Sequence, residues 1–357
     1  MRIKLGDIAK YSKGVQINGD DLIADGKYIY LNGGINPSGR WNVANVGENT
    51  VTISEGGNSS GYINYITEPF WCGAHCYYLY DGPKNTRYLY YALKSQQERL
   101  FAIRSGACMP NIKKADLGNF EFEFDYDEKI QNDIVDCLDK VQRIIDARQQ
   151  ELQKLDELVK ARFVEMFGTY PANEKGWETG TIRDLVSEVR YGSSRKAADG
   201  DSGKYPYLRM NNITYSGELD LTDTKTIDIP DEELPKCTVR RGDVLFNRTN
   251  SKELVGKTCV YDRDEMMVLA GFVVRVRVND RILPEILSAF LNTDFSKQML
   301  LAMCKAAIGQ ANINAQELQN IGIYIPPIEL QREFVTFKQQ IDKSKVVCVM
   351  ALQAILE

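Results

Sequence analysis

The chain has one histidine, eleven prolines in 357 residues, and no apolar run of eighteen. Each scarcity excludes something. With His75 alone, no centre built on paired histidines is possible. Without a long apolar run, no transmembrane helix is expected. The opening MRIKLGDIAKYSKG lacks the apolar core of a secretion signal. The eight cysteines are scattered with no close CxxC pair, which fits reduced thiols in a cytoplasm. Sequence motifs of catalysis are missing too. There is no G-x-x-x-x-G-K-[ST] phosphate loop and no G-x-S-x-G nucleophile turn. SEGGNSSG at 54–61 is not G-x-G-x-x-G and leads into a strand. NPSG at 36–39 falls short of the Asn/Asp-Pro-Pro-aromatic tetrad of an amino-methyltransferase. Scattered Asp and Glu offer no evident metal pair for a nuclease. An enzyme is therefore disfavoured, and no cofactor is expected.

One possible metal set needs weighing. Cys72, His75 and Cys76 form a C-x2-H-C cluster that could supply three zinc ligands. No fourth ligand is near, and Cys108 would have to come from a distance. The cluster is read as core and satisfied residues, with no metal. The net charge of −5 argues against a uniformly basic nucleic-acid surface, but phosphates respond to local charge rather than to the total.

What is present begins with residues 126–167, a stretch without Gly or Pro and rich in good helix formers. Ile134, Leu138, Val141, Ile145, Leu152, Leu155, Val159 and Met166 are spaced mostly by three and four, the seam of a coiled coil, with Arg148 and Arg162 as polar breaks. Such a helix would run about 63 Å at 1.5 Å per residue. One apolar stripe on so long a helix needs a partner. Residues 329–356 offer it, again without Gly or Pro. Leu330, Phe334, Phe337, Ile341, Cys348, Leu352 and Ile355 keep the rhythm, with Ser344 or Lys345 at the weak position.

The remainder is a repeat. GKYIYLNGGIN at 26–36 matches GKYPYLRMNNI at 203–213 at an offset of 177. GENTVTISEGGNSS matches RRGDVLFNRTNS, and the CYYLY strand region matches AGFVVRVRV. SGACMPNIKKADLGNFEF matches IGQANINAQELQNIGIYI, placing Asn111, Leu117 and Asn119 on Asn312, Leu318 and Asn320. QNDIV at 131–135 lies on QREFV at 331–335. The order of at least six elements is kept, which chance does not explain. The expected fold is α+β: two tandem domains of mixed α/β structure, each followed by a long helix, the helices packed as an antiparallel coiled coil with pseudo-two-fold symmetry. The expected boundaries are 1–125, 126–170 for the central helix, 171–327, and 328–357 for the shorter C-terminal helix.

A doubled object with two heads suits a double-stranded DNA gripped at two places. Asn and Gln match adenine edges, Arg and Lys match guanine, and Ser or Thr suit either edges or phosphates. In the first head the candidates are Lys13, Gln16, Asn18, Asn36, Ser38, Arg40, Asn58, Ser59 and Ser60. In the second they are Tyr191, Ser193, Ser194, Arg195, Lys196, Arg209, Asn211 and Asn212, then the run Asn247, Arg248, Thr249, Asn250, Ser251 and Lys252. That run follows a strand-like VLF, and six polar residues in a row have no use in a core. Lys113, Lys114, Gln310, Asn312 and Asn314 occupy matching loops and are candidates for backbone contact. The plainer alternative is that the Asn residues cap the following turn. Two rival readings differ in class: an enzyme with unfamiliar residues, and a protein scaffold that uses the coiled coil without DNA.

These residues resemble the DNA-specificity subunit of type I restriction–modification enzymes. The likeness rests on RRGDVLF at 240–246, on GQANINAQELQNIGIYIPPIELQREF at 309–334 leading into a helix, on CMPNIKKADLGNFEFEFDYDEKIQNDI at 108–134, and on ISEGGNSSGYINYITEPFWCGAHCYYL at 53–79. It covers nearly the whole chain. The resemblance implies two target recognition domains, each reading half of a split DNA sequence, with the helices as a ruler between them. It implies two methyltransferase subunits, placed for adenine N6 methylation, and restriction/translocase subunits in the larger complex. It implies no catalysis by the chain itself and no membrane partner. Two departures stand out. Asp125-Tyr126 replaces the Pro-Pro that precedes the second helix, and nothing mirrors KARFVEMFG at 160–168 after the C-terminal helix.

Overall fold

The computed structural model describes residues 1–106, 109–198, 200, 202–251, 254–307 and 310–356. The chain divides into two compact units, Met1–Ile144 and Ile145–Glu357, and the division falls inside one long helix.

The first unit contains β1 (Arg2–Lys4), α1 (Leu5–Ile8), β2 (Lys10–Lys13), β3 (Tyr28–Leu31), β4 (Gly39–Trp41), β5 (Thr50–Ser54), β6 (Ile63–Ile66), β7 (Trp71–Cys72), β8 (Cys76–Tyr80), α2 (Thr86–Lys94), α3 (Gln97–Ala102), α4 (Lys114–Gly118) and β9 (Glu121–Glu123). Its main sheet is antiparallel in the order β2-β8-β5-β6. A second sheet, β4-β3-β7, includes a parallel pair that sets Tyr30 against Trp71 and Leu31 against Cys72. β1 pairs with β9. The core gathers Leu5, Val51, Ile53, Tyr77, Leu89, Leu93, Leu100, Ile112, Phe122 and Phe124. These come from alternate positions of the strands and one face of each helix, as a half-buried sheet under helices requires.

The long helix α5 spans Glu128–Phe167. After it the second unit runs β10 (Glu178–Thr181), β11 (Val186–Tyr191), β12 (Tyr205–Leu208), β13 (Lys225–Ile227), α6 (Leu234–Cys237), β14 (Thr238–Val239), β15 (Val244–Asn247), β16 (Thr249–Asn250), β17 (Thr258–Val260), β18 (Met267–Leu269), β19 (Val273–Val278), α7 (Pro284–Leu291), α8 (Asp294–Met303), β20 (Lys305–Ala307), β21 (Gln310–Asn312), α9 (Ala315–Gln319), β22 (Gly322–Ile325) and α10 (Ile328–Leu356). Its main sheet has the order β11-β19-β15-β17, strand for strand the plan of the first unit. Its second sheet, β13-β12-β18-β14, has a parallel pair, β12 with β18, where the first unit has β3 with β7. β10 pairs with β22 as β1 pairs with β9. The repeat read from sequence is thus a repeat of topology.

A matched glycine shows why the repeat tolerates so little change at some points. A Cβ on Gly14 would lie 1.8 Å from the Cys72 carbonyl oxygen, and one on Gly192 would lie 2.2 Å from that of Leu269. In each domain the chain leaving the edge strand of the main sheet presses onto the second strand of the parallel pair, and only glycine allows that approach.

The C-terminal half of α5 packs antiparallel on α10. Phe163 meets Phe334, Arg162 pairs with Glu333 at 3.3 Å, Lys345 bonds Asp156, and the Cys348 thiol donates to the Arg148 carbonyl at 3.4 Å. One helix climbs in number as the other falls. Phe163, Phe167 and Phe334 enter the core of the second unit beside Val244, Phe246, Leu287 and Phe290. Ile145, Leu152, Leu155 and Val159 on α5, and Phe337, Ile341 and Leu352 on α10, are half-buried, and Cys348 is buried. Lys345, the weak position, is neutralised by Asp156 and by Glu218 of the domain.

The N-terminal turns of α5 depart from the expected seam. Ile134 and Leu138 are each 37% exposed, and Val141 is half-buried. The stripe that faces the first unit is Gln131, Val135 and Asp139. Gln131 donates to the Asp125 carbonyl at 2.6 Å, Val135 packs on the core, and Asp139 accepts from Arg87 at 2.8 Å and from Tyr91 at 2.5 Å. Here the helix docks on its own domain, so the positions that meet that domain are covered rather than those at heptad spacing. The missing Pro-Pro is also compensated. The Asp127 carboxylate accepts from the amides of Lys129 at 2.8 Å and Ile130 at 3.2 Å, and so caps α5.

Candidate nucleic-acid interface

In both units the polar loops of interest lie beside the central antiparallel strands, β5 in the first and β15 in the second. Glu55 follows β5, and Arg248 occupies the same place after β15. Their backbones make the same two bonds. The Glu55 amide donates to the His75 carbonyl at 2.8 Å, and its carbonyl accepts from Ile112 at 2.9 Å. The Arg248 amide donates to the Phe272 carbonyl at 3.0 Å, and its carbonyl accepts from Ile313 at 2.9 Å. Each junction ties together the turn between the parallel-pair strand and the next main-sheet strand, the loop after the central strand, and the segment that leads to the last short helix.

The side chains at these matched positions differ in kind. Lys13, at the end of β2, bonds Glu55 at 2.6 Å, and the His75 ring nitrogen lies 3.3 Å from the other Glu55 oxygen. Burial alone would raise the Glu55 carboxyl, but Lys13 and His75 outweigh it and hold the group below its ordinary value. In the second unit Tyr191, at the end of β11, lies under the Arg248 guanidinium, which is 4.8 Å from the ring centroid. Phe272 takes the place of His75 and is 54% exposed.

The candidates divide by environment. Lys13, Gln16, Asn18, Asn36, Ser38, Arg40, Asn58, Lys113 and Lys114 are exposed in the first unit, as are Tyr191, Ser194, Arg195, Lys196 and Asn211 in the second. Among these, Arg40 spends its guanidinium on the carbonyls of Gly26 and Lys27, and Arg195 pairs with Glu233 at 2.6 Å. Ser59 donates to the Gly33 carbonyl at 2.6 Å, which brings the 54–61 loop against the turn that precedes Asn36. Arg209 is half-buried and pairs with Asp223 at 2.9 Å.

Five candidates are turned inward: Ser60, Ser193, Asn212, Asn247 and Thr249 are all buried. Ser60 donates to the Glu55 carbonyl, Ser193 accepts from the Arg195 amide, and Asn212 donates to the carbonyls of Asp220 and Asp223. Thr249 donates to the Asn312 carboxamide oxygen at 2.9 Å, which joins β16 to β21. Asn247 is fully buried, and neither end of its amide has a partner among the described residues. Asn250 accepts from the Ser251 amide at 2.9 Å. Asn314 caps α9, accepting from Gln316 and Glu317, the plainer role weighed above. These side chains shape the loops. Ser60, Ser193 and Asn212 turn inward to backbone groups of their own loops, and Thr249 to a side chain brought by a distant strand. Lys252, Cys108 and the side chain of Gln310 lie outside the described residues.

Cys72 and Cys76 are buried, and the Cys72 thiol donates to the Cys76 carbonyl at 3.3 Å. His75 turns the other way, to Glu55. Among the described residues no group of three His, Cys, Asp or Glu side chains converges for a metal ion. Among them, too, no helix is long and apolar enough to cross a membrane.

Glu55, His75 and Phe272 were not chosen from sequence as contact residues. Laying FWCGAHC over VLAGFVV puts His75 opposite Val273, one residue off the match with Phe272 that the structure makes, so the sequence overlay alone does not find them. Comparison with known proteins supplies the family. The sequence model described as the type I restriction modification DNA specificity domain matches residues 1–157 and 174–347. This chain therefore belongs to the family of type I restriction–modification DNA specificity proteins. A protein named as a type I specificity subunit of Mycoplasma genitalium is 28% identical over 258 residues, 67% of this chain and 66% of that one. The EcoKI specificity subunit of Escherichia coli is 22% identical over 262 residues, 69% of this chain and 55% of its own. The chain thus aligns with just under two thirds of the first relative's length and little more than half of the second's. The crystal structure of a type I restriction–modification S subunit from M. genitalium shares the fold, with a TM-score of 0.56 at 20% identity, covering 100% of this chain and 92% of that one. The matched model describes a DNA specificity domain.

Proposed function

We propose that this chain reads a bipartite sequence in double-stranded DNA, one half with each domain, and positions two methyltransferase subunits on it. Restriction/translocase subunits join the same assembly. The observation that carries the reading is the duplicated plan. One sheet order is built twice, with polar side chains at the same junction of loops each time, in a chain of the DNA-specificity family. A protein that must recognise two different half-sites gains from one scaffold with two sets of side chains. The net charge of −5 places the burden of binding on these local groups and on the partner subunits.

The test is methylome sequencing of a host that expresses the chain with its cognate methyltransferase subunit. A split methylated motif with an unspecified spacer is expected. Replacing Arg248 and Asn250 by Ala should change one half of that motif only. A single continuous motif, or changes in both halves, would end the two-reader reading.

A further inference from the structure

Three matched positions are occupied by chemically opposite sets: Lys13, Glu55 and His75 in the first domain, Tyr191, Arg248 and Phe272 in the second. On the bipartite reading above, we infer that these two trios determine the difference in sequence preference between the half-sites, with Arg248 donating to a guanine edge and Phe272 lying against a neighbouring thymine methyl.

A side chain that decides sequence must be held still and must keep unspent bonding capacity. The scaffold supplies the first condition. At both junctions the central residue is pinned through its amide and its carbonyl by the same pair of bonds, to His75 and Ile112 or to Phe272 and Ile313. The turn that bears Phe272 is fixed again by the Gly271 amide on the Ser193 carbonyl at 2.7 Å. The turn that bears His75 is held by its own amide on the Asn32 carboxamide at 3.3 Å.

Arg248 meets the second condition. The other candidate arginines of its domain are paired, Arg195 with Glu233 and Arg209 with Asp223. The Arg248 side chain has no hydrogen-bond or ion-pair partner among the described residues, and its Nε is buried without an acceptor there. Its one contact of note is the Tyr191 ring, which orients the guanidinium plane without using its N–H groups. A planar donor fork of this kind matches the O6 and N7 acceptors of guanine. Beside it Phe272 exposes an aromatic ring at the tip of a rigid turn in polar surroundings. An apolar group there is satisfied by the methyl of thymine, the one apolar feature of the major-groove edge.

The first trio has the reverse character. The Glu55 carboxylate is engaged by Lys13 and His75, so its part is to hold both side chains in place. Lys13 then offers a point donor to purine acceptors, where Arg248 offers a fork, and His75, with its Nδ1–H given to Glu55, leaves Nε2 to accept from a base amino group.

The experiment uses the complex of this chain with its methyltransferase subunit and reads the methylome for wild type, Arg248→Gln, Phe272→Ala and His75→Ala. Glutamine pairs with adenine as arginine does with guanine. Arg248→Gln should therefore move one position of one half-site from guanine to adenine, with about a ten-fold or larger change in preference. Phe272→Ala should loosen a neighbouring position in the same half, and His75→Ala a position in the other half only. If Arg248→Gln abolishes modification, Phe272→Ala and His75→Ala decide. A split wild-type motif left unchanged by the variants would overturn the assignment while leaving the two-reader function standing. A wild type without a split motif would instead remove the function on which the assignment rests.

Discussion

Phe163 in α5 and Phe334 in α10 meet edge to face, with ring centroids 5.3 Å apart and planes inclined at 80°. Phe167 completes the group, 4.9 Å from Phe163 and 5.7 Å from Phe334. All three rings are essentially inaccessible to solvent. The contact joins both helices to the core of the second domain. Phe334→Ala should cost about 3–5 kcal/mol, because it leaves a cavity walled by two rigid rings. Phe337→Ala, three residues on and half-buried, should cost clearly less. Thermal or urea unfolding of the two variants checks the ranking, and equal losses would mean that the trio is not the anchor.

Gln131 and Gln331 sit at equivalent places in the first turns of the two long helices, yet they are wired differently. Gln331 donates to the carbonyls of Arg281 and Pro326 at 3.0 and 2.8 Å and accepts from the Leu283 amide at 2.8 Å, in a fully buried site. Gln131 makes one such bond, to Asp125. Gln331→Ala strands an amide and two carbonyls and should destabilise by about 2–3 kcal/mol, Gln131→Ala by about 1 kcal/mol. Chemical denaturation of both variants measures the difference.

Lys297 is mostly buried, with its ammonium on the Gly256 carbonyl at 2.7 Å. Burial first, then the charges of Lys160 and Lys257, push its pKa down to about 7 from the usual 10.5. The unfolded chain therefore holds a proton that the folded chain gives up between those values, so stability should rise with pH from about 7 to about 10.5. Below that window both states are charged and the full burial penalty applies. Lys297→Met should flatten the slope and raise stability at pH 7 by about 1 kcal/mol or more. Melting temperatures across that range provide the check.

Along the first turns of α5 the domain-facing stripe and the heptad stripe make opposite predictions. Val135→Asp should destabilise the first unit by about 2 kcal/mol, since a charge would face its core. Leu138→Asp, at a site 37% exposed, should cost about 0.5 kcal/mol. Unfolding monitored in each variant separates the two, and the reverse order would restore the heptad seam as the buried face there.

The sequence by itself determined the two long helices, the antiparallel sense of their pairing, and the doubled order of strands. Helix propensity, apolar spacing and internal likeness are properties of neighbours along the chain, so they can be read there. Tertiary structure alone decided which loop residues face outward. Asn247, Asn212 and Ser60 have the composition of contact residues, yet all three are buried, and Asn212 and Ser60 bond carbonyls from elsewhere in their loops. It also turned the first part of α5 from its heptad stripe toward Gln131, Val135 and Asp139, and it set Phe272 where His75 stands in the other domain. The inward turns depend on how each loop folds back on its own carbonyls, and the helix face and the Phe272 turn on surfaces delivered by segments far apart in the chain; no local pattern records either.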